Sequence, residues 1–456
     1  MLYRSAILAL ITLALSLSAC SSPDEQNSSD TPNSSDTPNS ATPDMSNSTV
    51  DMTPEPDMKA PENPDEPDMR APIEPDMPGD EPDMEAEPAE LEIPDKPWDP
   101  TANGPYNMGF GASELTYPIA PDDADRTFEF VWWHPTRAPT GKRTRYVRNT
   151  YPTPSRNVFK DVPFPDEPAK FPVLIFSHGN SSFGEQSYFM TERFASHGWI
   201  VLAPYHTENT FFDNVGAINL YSAFQRPQDI HALIDWLEDI PEDHPLHGRV
   251  DLDRIGMSGH SFGAFTTLSV AGSGFAVDEI EEECEQGLIG DDYCTLFSPE
   301  NRDLFRQGFE DPRIKAAAPH TPGIGQVFRE GTSQIKIPTL VMTAGRDRAL
   351  PEAENGDPIW ENMVGPHARF TLPNGGHFTY SNMCEFLGTL EIAAEDGCNE
   401  TFIPFETALP MINHYTLAWM EYHINGATEL EPLIQGKERP YPAEDLVYTL
   451  KEEPAD

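Results

Sequence analysis

Positive charge is what this sequence has least of. Lys and Arg together number 29 against 76 Asp and Glu, a formal net charge of −47. Nucleic-acid binding needs clustered Lys and Arg on the phosphates, so that class of function is set aside. Cysteine is scarce too: there are five, and no pair has the C-x-x-C spacing of zinc and dithiol redox sites. Long apolar runs are also missing near the start. The stretch Ala6–Leu17, behind a single basic residue at Arg4, is too short to cross a bilayer comfortably. It reads instead as a signal sequence.

That stretch ends in Leu17-Ser18-Ala19-Cys20, which resembles the lipobox of bacterial lipoproteins. The resemblance implies a lipidated Cys20 as the mature N-terminus, export from the cytoplasm, and a membrane partner reached through the anchor. Ser21 after the cysteine implies the outer membrane or cell surface. From there to Pro97 apolar periodicity is absent. Glu-Pro-Asp-Met recurs at 55–58, 66–69, 74–77 and 81–84, and the segment 20–97 holds 22 acids against Lys59, Arg70 and Lys96. Such a segment cannot bury enough apolar surface to offset its chain entropy. It reads as an extended acidic tether, 20–97, with a reach on the order of 200 Å.

The body, 98–456, has a different pattern. Two strand-like stretches, Gly104–Tyr117 and Arg126–Trp133, precede a proline-rich loop running to about Asp166. Short apolar runs then follow at Phe171–Ser177, Trp199–Pro204, Arg254–Ser258, Ile314–Ala318, Thr339–Ala344 and Ala368–Leu372. Helical patterns lie among them, at Gln186–His197, Phe224–Ile240 and Ala264–Ala271. Strands apolar on both faces, alternating with helices, predict an α/β fold with a mostly parallel central sheet flanked by helices. Sites in that architecture gather at the carboxyl ends of the strands. The acidic stretch 275–309 breaks the rhythm and is expected to be an insertion: a lid, a pocket wall or a surface excursion.

Gly259-His260-Ser261-Phe262-Gly263 fits G-x-S-x-G between an apolar strand and a helix. A strand entering a helix through one residue needs a tight turn whose flanking positions are tiny. Ser261 is then exposed above the sheet, beside a helix N-terminus that favours negative charge. A serine hydroxyl needs a base, and histidine suits. His377, in Asn374-Gly375-Gly376-His377 after the last strand, is the choice among 13 histidines, with His320 in reserve. His260 is expected to point away from Ser261. Asp347, in Gly345-Arg346-Asp347-Arg348, gives the order Ser, Asp, His, and would hold the imidazole. Glu352 and Glu354 are alternates. Two backbone donors are needed for an oxyanion, and the Phe262 and Asn180 N–H groups are the candidates.

With Cys20 assigned to lipid, four cysteines remain, an even number suited to an exported chain. Three pairings are possible. The local one, Cys284–Cys294 and Cys384–Cys398, closes short loops and is preferred.

FPVLIFSHGN, ASHGWIVLAPYH, GRVDLDRIGMSGHSFGAFTTL, IPTLVMTAGRDRALP and GGHFTYSNMC together resemble the α/β-hydrolases. The resemblance is to the branch with dienelactone-hydrolase-like proteins, platelet-activating-factor acetylhydrolases and polyester hydrolases. It implies Ser261 as nucleophile, Asp347 as acid, His377 as base, and Phe262 with Asn180 as oxyanion donors. Dienelactone hydrolases use cysteine where this chain has Ser261, which favours ordinary ester hydrolysis. The expectation is a serine ester hydrolase acting on small-molecule or lipid esters, short-acyl, phospholipid or polyester, needing neither metal nor organic cofactor. An amidase on the same residues and a silent surface lipoprotein are the other readings. Phe183, Phe211, Phe212 and Phe378 are candidates for an apolar pocket or for core.

Overall fold

The computed structural model describes residues 89–213, 221–388 and 390–451. The leader, Cys20 and nearly all of the tether lie outside the described residues. Residues just ahead of Trp98 lie on the body: Leu91 N–H donates to Arg137 O at 2.8 Å, and Lys96 pairs with Glu421 at 3.1 Å.

Two long strands, β1 (Asn107–Ile119) and β2 (Ala124–Thr136), pair antiparallel over their full length. After them come β3 (Phe171–Ser177), α1 (Tyr188–Ser196), β4 (Ile200–Pro204), α2 (Ser222–Glu238), β5 (Val250–His260) and α3 (Phe262–Val270). The chain continues through β6 (Ile314–His320), β7 (Thr339–Ala344), β8 (His367–Leu372), α4 (Phe405–Asn425) and β9 (Val447–Leu450). The sheet order is β9-β8-β7-β6-β5-β3-β4-β2-β1, extended past β1 by short strands at 158–160 and 142–143. The block from β4 to β8 is parallel, and β2 and β9 join its edges antiparallel. The chain leaves β3 towards β4 and then returns across it to β5. That reversal opens a crevice above the ends of β3 and β5, where α/β folds place their sites.

Side-chain alternation divides the core. Leu174 and Phe176 of β3 pack with Phe194 of α1 and Trp419 and Met420 of α4. Val173 and Ile175 of the same strand face Ile230, Leu233 and Leu237 of α2. One strand thus serves both layers, which is why it is apolar throughout.

Three expectations need correction. The stretch to Asp166 is not merely loop. It forms short strands at 142–143, 145–146, 151–152 and 158–160, because Tyr146, Val158 and Phe159 are buried and their backbone needs partners. The longest described helix, α4, was not anticipated. Every residue from Met411 to Glu421 is buried and Pro410 lies inside, so no polar face marks its period. Gly426, at φ 71°, ends it in a left-handed turn. The edge strand β9, four residues long, is too short for period-two alternation to mark it.

The 275–309 insertion folds as helices Val277–Gln286, Asp291–Leu296 and Arg302–Gln307. Phe275 packs on Phe265 of α3 and on Phe305, Phe309 and Phe328, and Arg329 pairs with Glu279 and Glu283. Disulfides join Cys284 to Cys294 and Cys384 to Cys398. Such bonds persist in oxidising compartments and mark an exported protein. No helix among the described residues is long and apolar enough to cross a membrane.

A buried ionic cluster pins α2 to the sheet. Asp229, fully buried, accepts from Arg126 at 2.7 and 3.0 Å, from Tyr117 at 2.7 Å and from His206 Nδ1 at 2.8 Å. Burial opposes its charge, yet Arg126 and His206 hold its pKa well below the usual range. Burial pulls His206 down to about 4, so the imidazole is neutral. With Nδ1–H donated to the carboxylate, its Nε2 accepts from Ser177 Oγ at 2.9 Å, at the end of β3. Replacing one partner of a buried pair leaves an uncompensated charge. Asp229→Asn is expected to lower stability by about 3–5 kcal/mol, read by chemical denaturation.

Candidate active site

The local sequence dictates the turn at Ser261. A Cβ on Gly263 would sit 1.9 Å from Ser177 O, and one on Gly259 would sit 2.3 Å from Gly263 O. Both positions must be glycine for β3, β5 and α3 to meet. Ser261 itself is held at φ 59°, ψ −118°. Its N–H donates to His320 O at 2.9 Å, and its carbonyl accepts from Ala264 at 2.9 Å and Phe265 at 3.2 Å.

Ser261 Oγ lies 3.0 Å from His377 Nε2, and His377 Nδ1 lies 2.8 Å from Asp347 Oδ2. Asp347 Oδ1 accepts the Leu350 N–H at 2.7 Å. His377 and Asp347 are buried and Ser261 is partly open. Burial disfavours the imidazolium, but Asp347, through charge and hydrogen bond, and then Asp396 outweigh it and raise the His377 pKa. The three residues come from the ends of β5, β7 and β8, over a hundred residues apart in places.

The other candidates are placed differently. His320 is buried against Tyr380, and burial brings its pKa down to about 3; only its carbonyl touches Ser261. Glu352 pairs with Arg369 at 2.7 Å, away from the imidazole. His260 does turn from Ser261. Burial holds it neutral, and its Nδ1 accepts from Gln186 Nε2 at 2.7 Å. Its remaining N–H, on Nε2, therefore donates to His377 O at 2.9 Å. Gln186 Oε1 in turn accepts the Gly179 N–H at 2.6 Å. Two side chains, Gln186 and His260, thus tie the loop after β3 to the loop that carries His377.

Arg226 of α2, fully buried, was also missed. It donates to His178 O at 2.5 Å and Gly179 O at 3.0 Å, and its guanidinium lies 4.6 Å from the Phe262 ring centroid. Burial pulls its pKa down to about 9, so it stays charged at neutral pH. In a trans peptide the C=O and the following N–H point opposite ways. Fixing Gly179 O against Arg226 therefore aims the Asn180 N–H away from the guanidinium. Phe262 opens α3, so its N–H has no acceptor within the helix. The Asn180 side chain is held by Asn209 Nδ2 at 2.7 Å. Of the four phenylalanines, Phe183 is core, Phe211 and Phe378 are half-buried, and Phe212 is 40% exposed. No group of metal-ligating side chains occurs among the described residues.

This chain is similar over 76% of its length, and 97% of the other, to the solved ferulic acid esterase from Streptomyces cinnamoneus, with a TM-score of 0.51 at 18% identity. The protein has an α/β-hydrolase fold. Residues 138–284 of this chain match the family model described as Chlorophyllase. That range holds Ser261 and Asn180 but neither Asp347 nor His377. The cutinase Est1 of Thermobifida alba is 23% identical over 234 residues, which is 50% of this chain and 61% of the cutinase's own length.

Gly263→Ala tests the turn. Its Cβ would meet two backbone carbonyls, Ser177 O and His178 O, neither of which gives way cheaply. A lower thermal midpoint, by an overpacking penalty of about 1–3 kcal/mol, is expected together with loss of Ser261 labelling by a fluorophosphonate.

Proposed function

We propose that this protein is a serine carboxylic-ester hydrolase working through an acyl-enzyme. What carries the reading is the hydrogen-bonded line from Ser261 Oγ through His377 to Asp347. Ser261 Oγ attacks the ester carbonyl as His377 Nε2 takes its proton. Asp347 holds the imidazole with Nε2 free and stabilises the imidazolium. The Phe262 and Asn180 N–H groups receive the oxyanion, and the helix start at Phe262 adds to the field. His377 then protonates the departing alcohol, water enters, and the same steps release the acid. The names of the relatives, a cutinase and a ferulic acid esterase, support ester rather than amide cleavage. Short-acyl esters, short-chain or oxidised phospholipids and polyesters are the substrate classes put forward.

Hydrolysis of p-nitrophenyl esters from acetate to palmitate tests this reading. Wild type is expected to cleave, and Ser261→Ala to lose at least about 10³-fold in kcat. Cleavage of amides in preference to esters would replace the reading with an amidase. The base must be neutral, and its pKa is raised, so kcat/KM is expected to fall on acidification through a value above the ordinary 6.5. The reading also has the chain lipid-anchored through Cys20 by way of the acidic tether. Incorporation of labelled palmitate that Cys20→Ala abolishes is the expected result; a soluble, unlabelled wild type would remove the anchor.

A further inference from the structure

The acid and the base stand on separate loops, after β7 and β8, and the Asp347–His377 hydrogen bond joins only their side chains. The backbones meet directly before the acid, where Arg346 N–H donates to Gly375 O at 3.0 Å, and after it they are joined through another residue. Asp396, 4% exposed, accepts the His377 N–H at 2.9 Å through Oδ1. The same carboxylate accepts Arg348 N–H at 3.1 Å and, through Oδ2, Ala349 N–H at 2.8 Å. Among the described residues no cationic side chain pairs with it; the Arg348 side chain goes to Glu395, at 3.4 Å. Three backbone donors, two just after the acid and one on the base itself, therefore converge on one carboxylate.

The surrounding sequence is built for that approach. Asp396 lies two residues before Cys398, and Cys398 is bonded to Cys384, in the helix Met383–Leu387 that follows the His377 turn. The loop is thus closed back on the base. A Cβ on Gly376 would lie 2.6 Å from Asp396 C and Gly397 N, so close packing requires the glycine before His377.

We propose that Asp396 is a positioning residue for the ester hydrolase described above: its buried carboxylate clamps the acid loop to the base loop and sets a second negative charge beside the imidazole. The inference rests on that reading of the site. The groups facing His377 are Asp347 from the β7 loop, Ser261 from the turn, neutral His260 with ring centroids 4.8 Å apart, and Asp396. Burial works against the imidazolium, and the two carboxylates work for it. Asp396 also opposes ionisation of Asp347, adding to the effect of burial there.

Asp396→Asn keeps the shape and removes the charge. The acidic limb of kcat/KM is expected to move down by about half a unit to one unit. Loosening of the loops lowers kcat by about 10- to 100-fold, with KM within about twofold because Asp396 does not reach the substrate. Asp396→Glu keeps the charge but moves the loops, so its limb should stay while kcat falls. An Asn variant with the wild-type limb, or a Glu variant with the wild-type kcat, overturns the proposal. The His377 titration, followed by NMR of ¹³Cε1-labelled histidine, separates this from the esterase reading. A wild type that cleaves no ester defeats that reading. A His377 titration that falls in Asp396→Asn still supports the clamp's charge, and one that does not move refutes it.

Discussion

The close approach of α3's first turn to the carbonyl of Ser177 is the constraint on which the rest depends. Two glycines, Gly259 and Gly263, remove the atoms that would otherwise occupy that space. Ser261 is left at φ 59°, where a non-glycine residue carries strain on the order of 1–3 kcal/mol. The strain is held because both its backbone groups are bonded, to His320 and to the opening of α3. The same contact brings the end of β3 beside the end of β5. The loop after β3 therefore faces the serine across the crevice where the strand order reverses.

The site is then held by buried polar side chains that belong to none of the three central residues. Gln186 and His260 run from Gly179 to His377, Arg226 fixes the peptide ahead of Asn180, and Asp396 joins the loops of acid and base. Each bonds backbone rather than another reactive group. In a low-dielectric interior an unpaired polar atom is costly, so such a network has few alternative arrangements and keeps loops in register. The surface is strongly acidic, but the buried cations Arg126 and Arg226 are each matched, by Asp229 or by carbonyl oxygens.

Much of this was legible beforehand. The apolar runs at 171–177, 339–344 and 368–372 are strands within a residue, and the helix at 222–238 has the period that marks it. Ser261, Asp347 and His377 announced themselves by following strands, and they do converge. The helix 405–425 did not, because burial on all sides erases its period. Gln186, Arg226 and Asp396 gave no signal either. Each is one polar residue with no spacing partner, and its role is defined by a carbonyl or an N–H that any residue could supply.

The sequence by itself determined the order of the central strands and of α1 to α3, the tight turn at Ser261 and the types of residue available for proton transfer. Those are local facts, set by period, by glycine and by side-chain chemistry over a few residues. Only the tertiary structure brought His377 to the serine and decided which buried groups hold the loops. His260 adjoins Ser261 in the chain and turns away, whereas His377, 116 residues on, lies 3.0 Å from its hydroxyl. The reason is that a strand end presents its neighbours to the crevice by sheet order, and sheet order is fixed by how layers pack, not by distance along the chain.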